Sequence, residues 1–150
     1  MAMLAVVAVT GAVLVAVGEV HSRSAQREKE AELLFIGGQF RRAITSYYER
    51  SPGEQHYPLT LEELVEDKRF PTPQRHLRRV YVDPMTGKAD WGLVRSPEGK
   101  IMGVHSSSEA EPLKRALFSQ DNQAFTGAAQ YSEWHFVYVP PPPPPGEKSR

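Results

Sequence analysis

The sequence contains no cysteine. Disulfides, thiolate metal sites and a cysteine nucleophile are thereby excluded; the compartment is left open, since an extracytoplasmic protein can do without disulfides. Neither sign of charge is in excess, with 18 Lys and Arg against 18 Asp and Glu. No global field therefore draws the chain to nucleic acid or to an acidic substrate. The five histidines, His21, His56, His76, His105 and His135, lack HxxxH or HExxH spacing, so no metal site is read from them. A glycine-rich phosphate-binding loop is also missing, as is any internal repeat. At 150 residues the chain has room for one core with an anchor or tail, and hardly for two.

The most one-sided absence lies at the N-terminus. The first 18 residues, MAMLAVVAVTGAVLVAVG, carry no charged side chain, and Thr10 is the only polar one. A helix needs roughly 20 apolar residues to cross a bilayer, and about 17 at the least. A cleaved signal peptide has a shorter apolar region, about 7–15 residues, behind a basic start; here the basic start is missing. A buried soluble helix is the third reading, but so uniform a run needs a larger core than this chain supplies. The expectation is a membrane span over residues 1–20, with Leu4, Val7, Thr10, Gly11, Leu14 and Gly18 serving anchorage and assembly. Thr10 and Gly11 form its smallest spot, where helix backbones can approach closely in lipid. The nearest positive charges, Arg23, Arg27 and Lys29, follow the span, and by themselves lean towards a cytoplasmic C-terminal domain.

The helical pattern continues past the span without a proline as far as Pro52, with Leu33, Ile36, Phe40, Ala43, Ile44 and Tyr47 at three- and four-residue steps. That is one apolar stripe. Gly37-Gly38 is its weak point, a bend or a close packing contact, and Ser51-Pro52-Gly53 ends it. Thr60 with Glu63 reads as a capping box and Leu59 with Leu64 as a hydrophobic staple for a short helix over 61–67. Strands are expected at 77–82, 90–95, 100–106 and 132–139, with Trp134, Phe136 and Tyr138 on one face of the last, and a short helix at 111–118. Pro140 to Pro145 are six consecutive prolines, which favour an extended polyproline II tail. The domains so read are 1–20, 21–139 and 140–150.

Candidate chemistry is sparse. Asp83 and Asp90 as an acid/base pair would need an apolar pocket to separate their pKa values. With Pro84 and Gly87 between them they read better as a turn, Pro fixing φ and Gly supplying φ > 0. Ser106-Ser107-Ser108 has no glycine elbow and reads as a polar loop. The Arg41-Arg42 and Arg78-Arg79 pairs read as solvated faces, and Trp91 and Trp134 as sheet-face or core aromatics. No catalytic, cofactor-binding or metal residue is assigned; Asp83, Pro84 and Gly87 are structural turn residues.

An apolar span flowing into one long amphipathic helix, then a small antiparallel sheet, resembles the type IV pilin superfamily. Tyr57-Pro58-Leu59-Thr60 after the long helix, and Asp83-Pro84 at the start of the sheet, are similar to the type II secretion pseudopilins, in the group of the major pseudopilin. The resemblance runs nearly to Val139 and implies an α+β, pilin-like fold. It also implies a non-enzymatic subunit of a type II secretion or type IV pilus filament, anchored in the bacterial inner membrane by a single pass, with its C-terminal domain in the periplasm. The implied partners are membrane lipid, sister pilin-like subunits and an assembly machinery with a separate cytoplasmic ATPase; nucleic acid is not among them.

Three departures stand beside the likeness. No prepilin leader precedes the span, the first acid is Glu19 rather than one early in the span, and Asp121-Asn122 alone does not match the acidic loop that binds calcium in that group. Calcium takes about 6–8 oxygen ligands, so no metal is expected. The missing leader leads us to expect that the natural chain starts upstream of Met1. The alternative function is a solitary membrane-anchored periplasmic binding protein.

Overall fold

The computed structural model describes the backbone of residues 2–142 and the side chains of residues 18–142. Helix α1 runs Ala2–Glu49, 48 residues, or about 72 Å at 1.5 Å per residue. Its apolar stripe is the spine of the core: Leu33, Phe40 and Ile44 are fully buried, and Ile36, Ala43 and Tyr47 nearly so. Residues 18–25 are exposed, so this stretch of the helix projects from the domain. Leu4, Val7, Thr10, Gly11 and Leu14, and with them most of the expected span, lie outside the described side chains. Among the described residues no helix is long and apolar enough to cross a membrane.

Against this spine packs a three-stranded antiparallel sheet, β1 (Gly92–Arg95), β2 (Ile101–His105) and β3 (Phe136–Val137), in the order β1-β2-β3. The fold is thus α+β, a long N-terminal helix on a small antiparallel sheet. The β1–β2 register sets Leu93 opposite Val104, with an irregularity between Val94 and Arg95. On β3, Phe136 pairs with Val104. Phe125, Trp134 and Phe136 make the aromatic centre, with Phe125 stacked on Trp134 at 5.5 Å and edge-on to Phe136 at 5.0 Å.

The double glycine of α1 is a close contact. The Phe136 ring sits where a side chain at Gly37 would go: a Cβ there would stand 2.4 Å from three ring atoms.

Several expected elements form differently. Residues 77–82 make no strand, because their backbone groups are engaged elsewhere. The N–H groups of His76 and Leu77 both donate to the Leu64 carbonyl, and the Tyr81 carbonyl accepts from the Trp91 indole at 2.7 Å. The short helix α2 is only Glu62–Val65 and has no side-chain cap. Glu63 reaches back to the Leu59 N–H instead (3.0 Å) and takes the Tyr47 hydroxyl at 2.9 Å. The staple is absent, since Leu64 is buried while Leu59 is 57% exposed. No helix forms at 111–118: the Glu30 carboxylate accepts the N–H groups of Leu113 and Lys114 at 2.6 and 3.1 Å, and Leu117 has a positive φ of 60°. The last strand is cut to two residues by a 3₁₀ turn at Tyr131–Glu133, which turns Trp134 and Phe136 both into the core. The tail from residue 143 lies outside the described residues.

Candidate functional site

The 83–90 segment closes on itself. Asp83 N–H donates to the Lys88 carbonyl, and Gly87 N–H donates to the Asp83 carbonyl, both at 2.8 Å. Gly87 has φ of 74°, in the region that glycine enters at no steric cost. The Asp83 side chain is completely buried. Its Oδ1 accepts from Met85 N–H at 2.9 Å, and its Oδ2 from the Ser106 hydroxyl at 2.6 Å and Ser107 N–H at 3.2 Å. The Asp90 side chain accepts from Thr86 Oγ1 at 2.7 Å. The structure therefore joins Asp83 to Ser106, a buried residue that reads in sequence as a polar loop, while the Asp90 side chain takes a different partner. Nothing local in the sequence signals that pairing across 23 positions.

A second buried polar cluster lies at the C-terminal end of α1. Asp67, 1% exposed, accepts from the Arg69 Nη2 at 2.7 Å, Nε at 2.8 Å and backbone N–H at 3.0 Å. Its Oδ2 also bonds His76 Nε2 at 3.1 Å, and His76 Nδ1 shares a 2.8 Å hydrogen bond with Ser46 Oγ. Burial pushes the Asp67 carboxyl up, but the Arg69 and His76 hydrogen bonds outweigh it and hold the group at about 2. The Arg69 guanidinium lies 3.5 Å from the centre of the Tyr47 ring and donates to the Tyr47 carbonyl. Burial, then the hydrogen bond to Glu63, raise the Tyr47 phenol well above its ordinary value.

Ser46, His76 and Asp67 stand in a hydroxyl–imidazole–carboxylate line. That order activates a nucleophile when the hydroxyl opens on a substrate site. Here the carboxylate is shared with Arg69, and Ser46 is not among the residues lining the adjacent cleft. What the line does mechanically is clear: it ties α1 to the loop that follows α2.

Glu30 is the third buried acid. Besides the two backbone donors it accepts from the Tyr131 hydroxyl at 2.9 Å, and burial with this carboxylate pushes the Tyr131 phenol up to about 12 against the opposing Gln26 bond. In sequence Glu30 sits in a dense run of mixed charge, largely off the apolar stripe; its donors lie more than 80 positions away. Gly18 is exposed, with nothing within 4 Å of a side chain placed there. Among the described residues no group of three or more His, Asp or Glu side chains is placed to hold a metal ion.

Two clefts open beside the Asp67 cluster. One, of about 540 Å³, is walled by Tyr47, Leu59, Glu63 and Arg69; the other, of about 310 Å³, by Tyr48, Glu54, Tyr57 and Glu98. His56 and Lys100 border both. Set against family models, curated proteins and solved structures, the chain finds no match.

Proposed function

We propose that this chain is a non-enzymatic, pilin-like subunit of a type II secretion or type IV pilus filament. The observation that carries the reading is the division of α1. One half buries a single apolar stripe in the domain, while residues 18–25 emerge exposed and lead into the apolar sequence 1–18. An apolar rod cannot stay extruded in water. Lifted from a bilayer, it must bury itself against neighbouring rods, which builds a helical array with the globular parts outside.

Energy for such lifting comes from a separate cytoplasmic ATPase, because the sequence has no phosphate-binding loop. On this reading the span lies in the bacterial inner membrane and the C-terminal domain faces the periplasm. The buried Asp83, Asp67 and Glu30 networks act as struts that join distant loops to α1 or to each other. Fractionation tests the reading: the full chain should resist alkaline extraction from membranes, and its domain should become protease-accessible only when the periplasm is opened. A chain released by alkali, or digested only after the cytoplasm is opened, contradicts it.

One feature favours a second reading, a solitary anchored periplasmic binding protein: the two clefts that meet at His56 and Lys100. Copurification from native membranes separates the two. A filament subunit brings pilin-like sister subunits with it; a solitary binder does not.

A further inference from the structure

The register of the sheet sets two histidines side by side. Gly103 pairs with Val137 and Val104 with Phe136; one step further along both segments stand His105, on β2, and His135, just ahead of β3. Their ring centres lie 5.0 Å apart, with the planes inclined by 37°. Far apart in sequence, the two form no spaced motif.

The half-buried His105 ring is held in place from two directions. Its Nδ1 lies 2.8 Å from the Ser106 carbonyl, which can only accept, so Nδ1 carries the proton and donates. The neutral ring therefore keeps its lone pair on Nε2. Opposite it on β1 stands Gly92, where any Cβ would overlap the imidazole; the missing side chain gives the ring its room. Among the described residues no hydrogen bond takes up Nε2 or either ring nitrogen of His135, which is exposed.

A histidine that ligates a metal characteristically donates its other ring N–H to a backbone carbonyl or a carboxylate, which fixes the tautomer and the ring. His105 has that arrangement. Two imidazoles bound to one tetrahedral ion at about 2.0–2.1 Å have ring centres about 5 Å apart, the spacing found here. Their planes need not be parallel, since each ring can rotate about its metal–nitrogen axis. We propose that His105 and His135 form a surface site for a late first-row divalent ion: copper, nickel or zinc. Imidazole suits these ions, whereas calcium and magnesium take oxygen ligands. No third His, Asp or Glu completes the group among the described residues, so the ion keeps positions open to water or to an outside donor. Two neutral nitrogens make an affinity that is modest, and highest for copper by the usual order of divalent ions. The inference is independent of the filament reading, because it uses only the sheet.

Calorimetric titration of the untagged full chain in detergent with copper(II) tests it. The first equivalent should bind at least about tenfold more tightly than later ones, since the second imidazole meets an ion already held beside it. His135→Ala removes an exposed ring, so the metal-free chain should melt unchanged while that first phase weakens about tenfold or more. His21→Ala and His56→Ala should leave the phase intact, as should excess calcium or magnesium. The electron paramagnetic resonance spectrum of the one-equivalent complex should show two imidazole nitrogens, and one after His135→Ala. No distinct first phase, a phase that survives His135→Ala or depends on His21 or His56, or a complex with a single nitrogen would each overturn the proposal and leave the two rings a stacked pair.

Discussion

The ring of Phe136 occupies the space beside Gly37 that any side chain there would need, 2.4 Å from where its Cβ would stand. Phe136 is fully buried and held edge-on by Phe125, so it cannot swing aside. Gly37→Ala should therefore destabilise the domain by about 1–3 kcal/mol through overpacking, despite a helix-propensity gain of about 1 kcal/mol. The neighbouring glycine is the control. A Cβ at Gly38 meets only the flexible end of Arg42, at 3.5 Å, so Gly38→Ala should stabilise by up to about 1 kcal/mol. Urea melts of the two full-length variants should move in opposite directions.

Gly87 raises a different issue. Nothing lies within 4 Å of a Cβ there, yet φ is 74°, so the cost of substitution is conformational alone. Gly87→Val should cost about 1 kcal/mol or more, and Gly87→Asn clearly less, because asparagine tolerates the left-handed region. An unchanged midpoint for valine would remove this account of the turn.

These predictions also mark where the sequence was readable. The stripe Leu33-Ile36-Phe40-Ile44-Tyr47 declared itself because helix periodicity is local. So did the turn at Asp83-Pro84-Gly87, because its chemistry sits within five residues. The strand expected at 77–82 was misread for the opposite reason: its alternating Val80 and Val82 are local, but Leu64 and Trp91 claim its backbone groups from afar. The helix expected at 111–118 fails likewise, through Glu30. The burial of Glu30, Asp67 and Asp83 is not legible in the sequence because part of what makes it tolerable comes from afar. Leu113, Lys114 and Tyr131 serve Glu30, His76 serves Asp67, and Ser106 and Ser107 serve Asp83, although Arg69 and Met85 are local donors.

Asp67 predicts an acid-sensitive stability. Its folded carboxyl titrates at about 2, below the ordinary 3.8, so its contribution is fully present above pH 4 and is lost as pH falls towards 2. The linkage amounts to about 2 kcal/mol. Urea midpoints measured from pH 5 to pH 2 should fall for the native chain and fall less steeply for Asp67→Asn. Parallel curves would place the acid sensitivity elsewhere.

Asp83 should be the most costly strut to cut. Asp83→Ala strands the Met85 and Ser107 N–H groups and the buried Ser106 hydroxyl. A loss of about 2–4 kcal/mol is expected. Ser106→Ala alone, which leaves the carboxylate two backbone donors, should cost less than half as much. Chemical denaturation of both variants checks the order.

The measurement closest to the central claim is cysteine crosslinking within the apolar segment, in native membranes and in the full chain. Val7→Cys and Leu14→Cys should each give oxidative crosslinks to the corresponding segment of another copy or of a sister subunit. Adding Gly11→Leu should leave the protein in the membrane fraction and cut the crosslinks severalfold, since a bulky residue at the smallest spot keeps helix backbones apart. Absence of crosslinks at both positions, or equal crosslinking with Gly11→Leu, would contradict assembly through this helix and leave it at most an anchor.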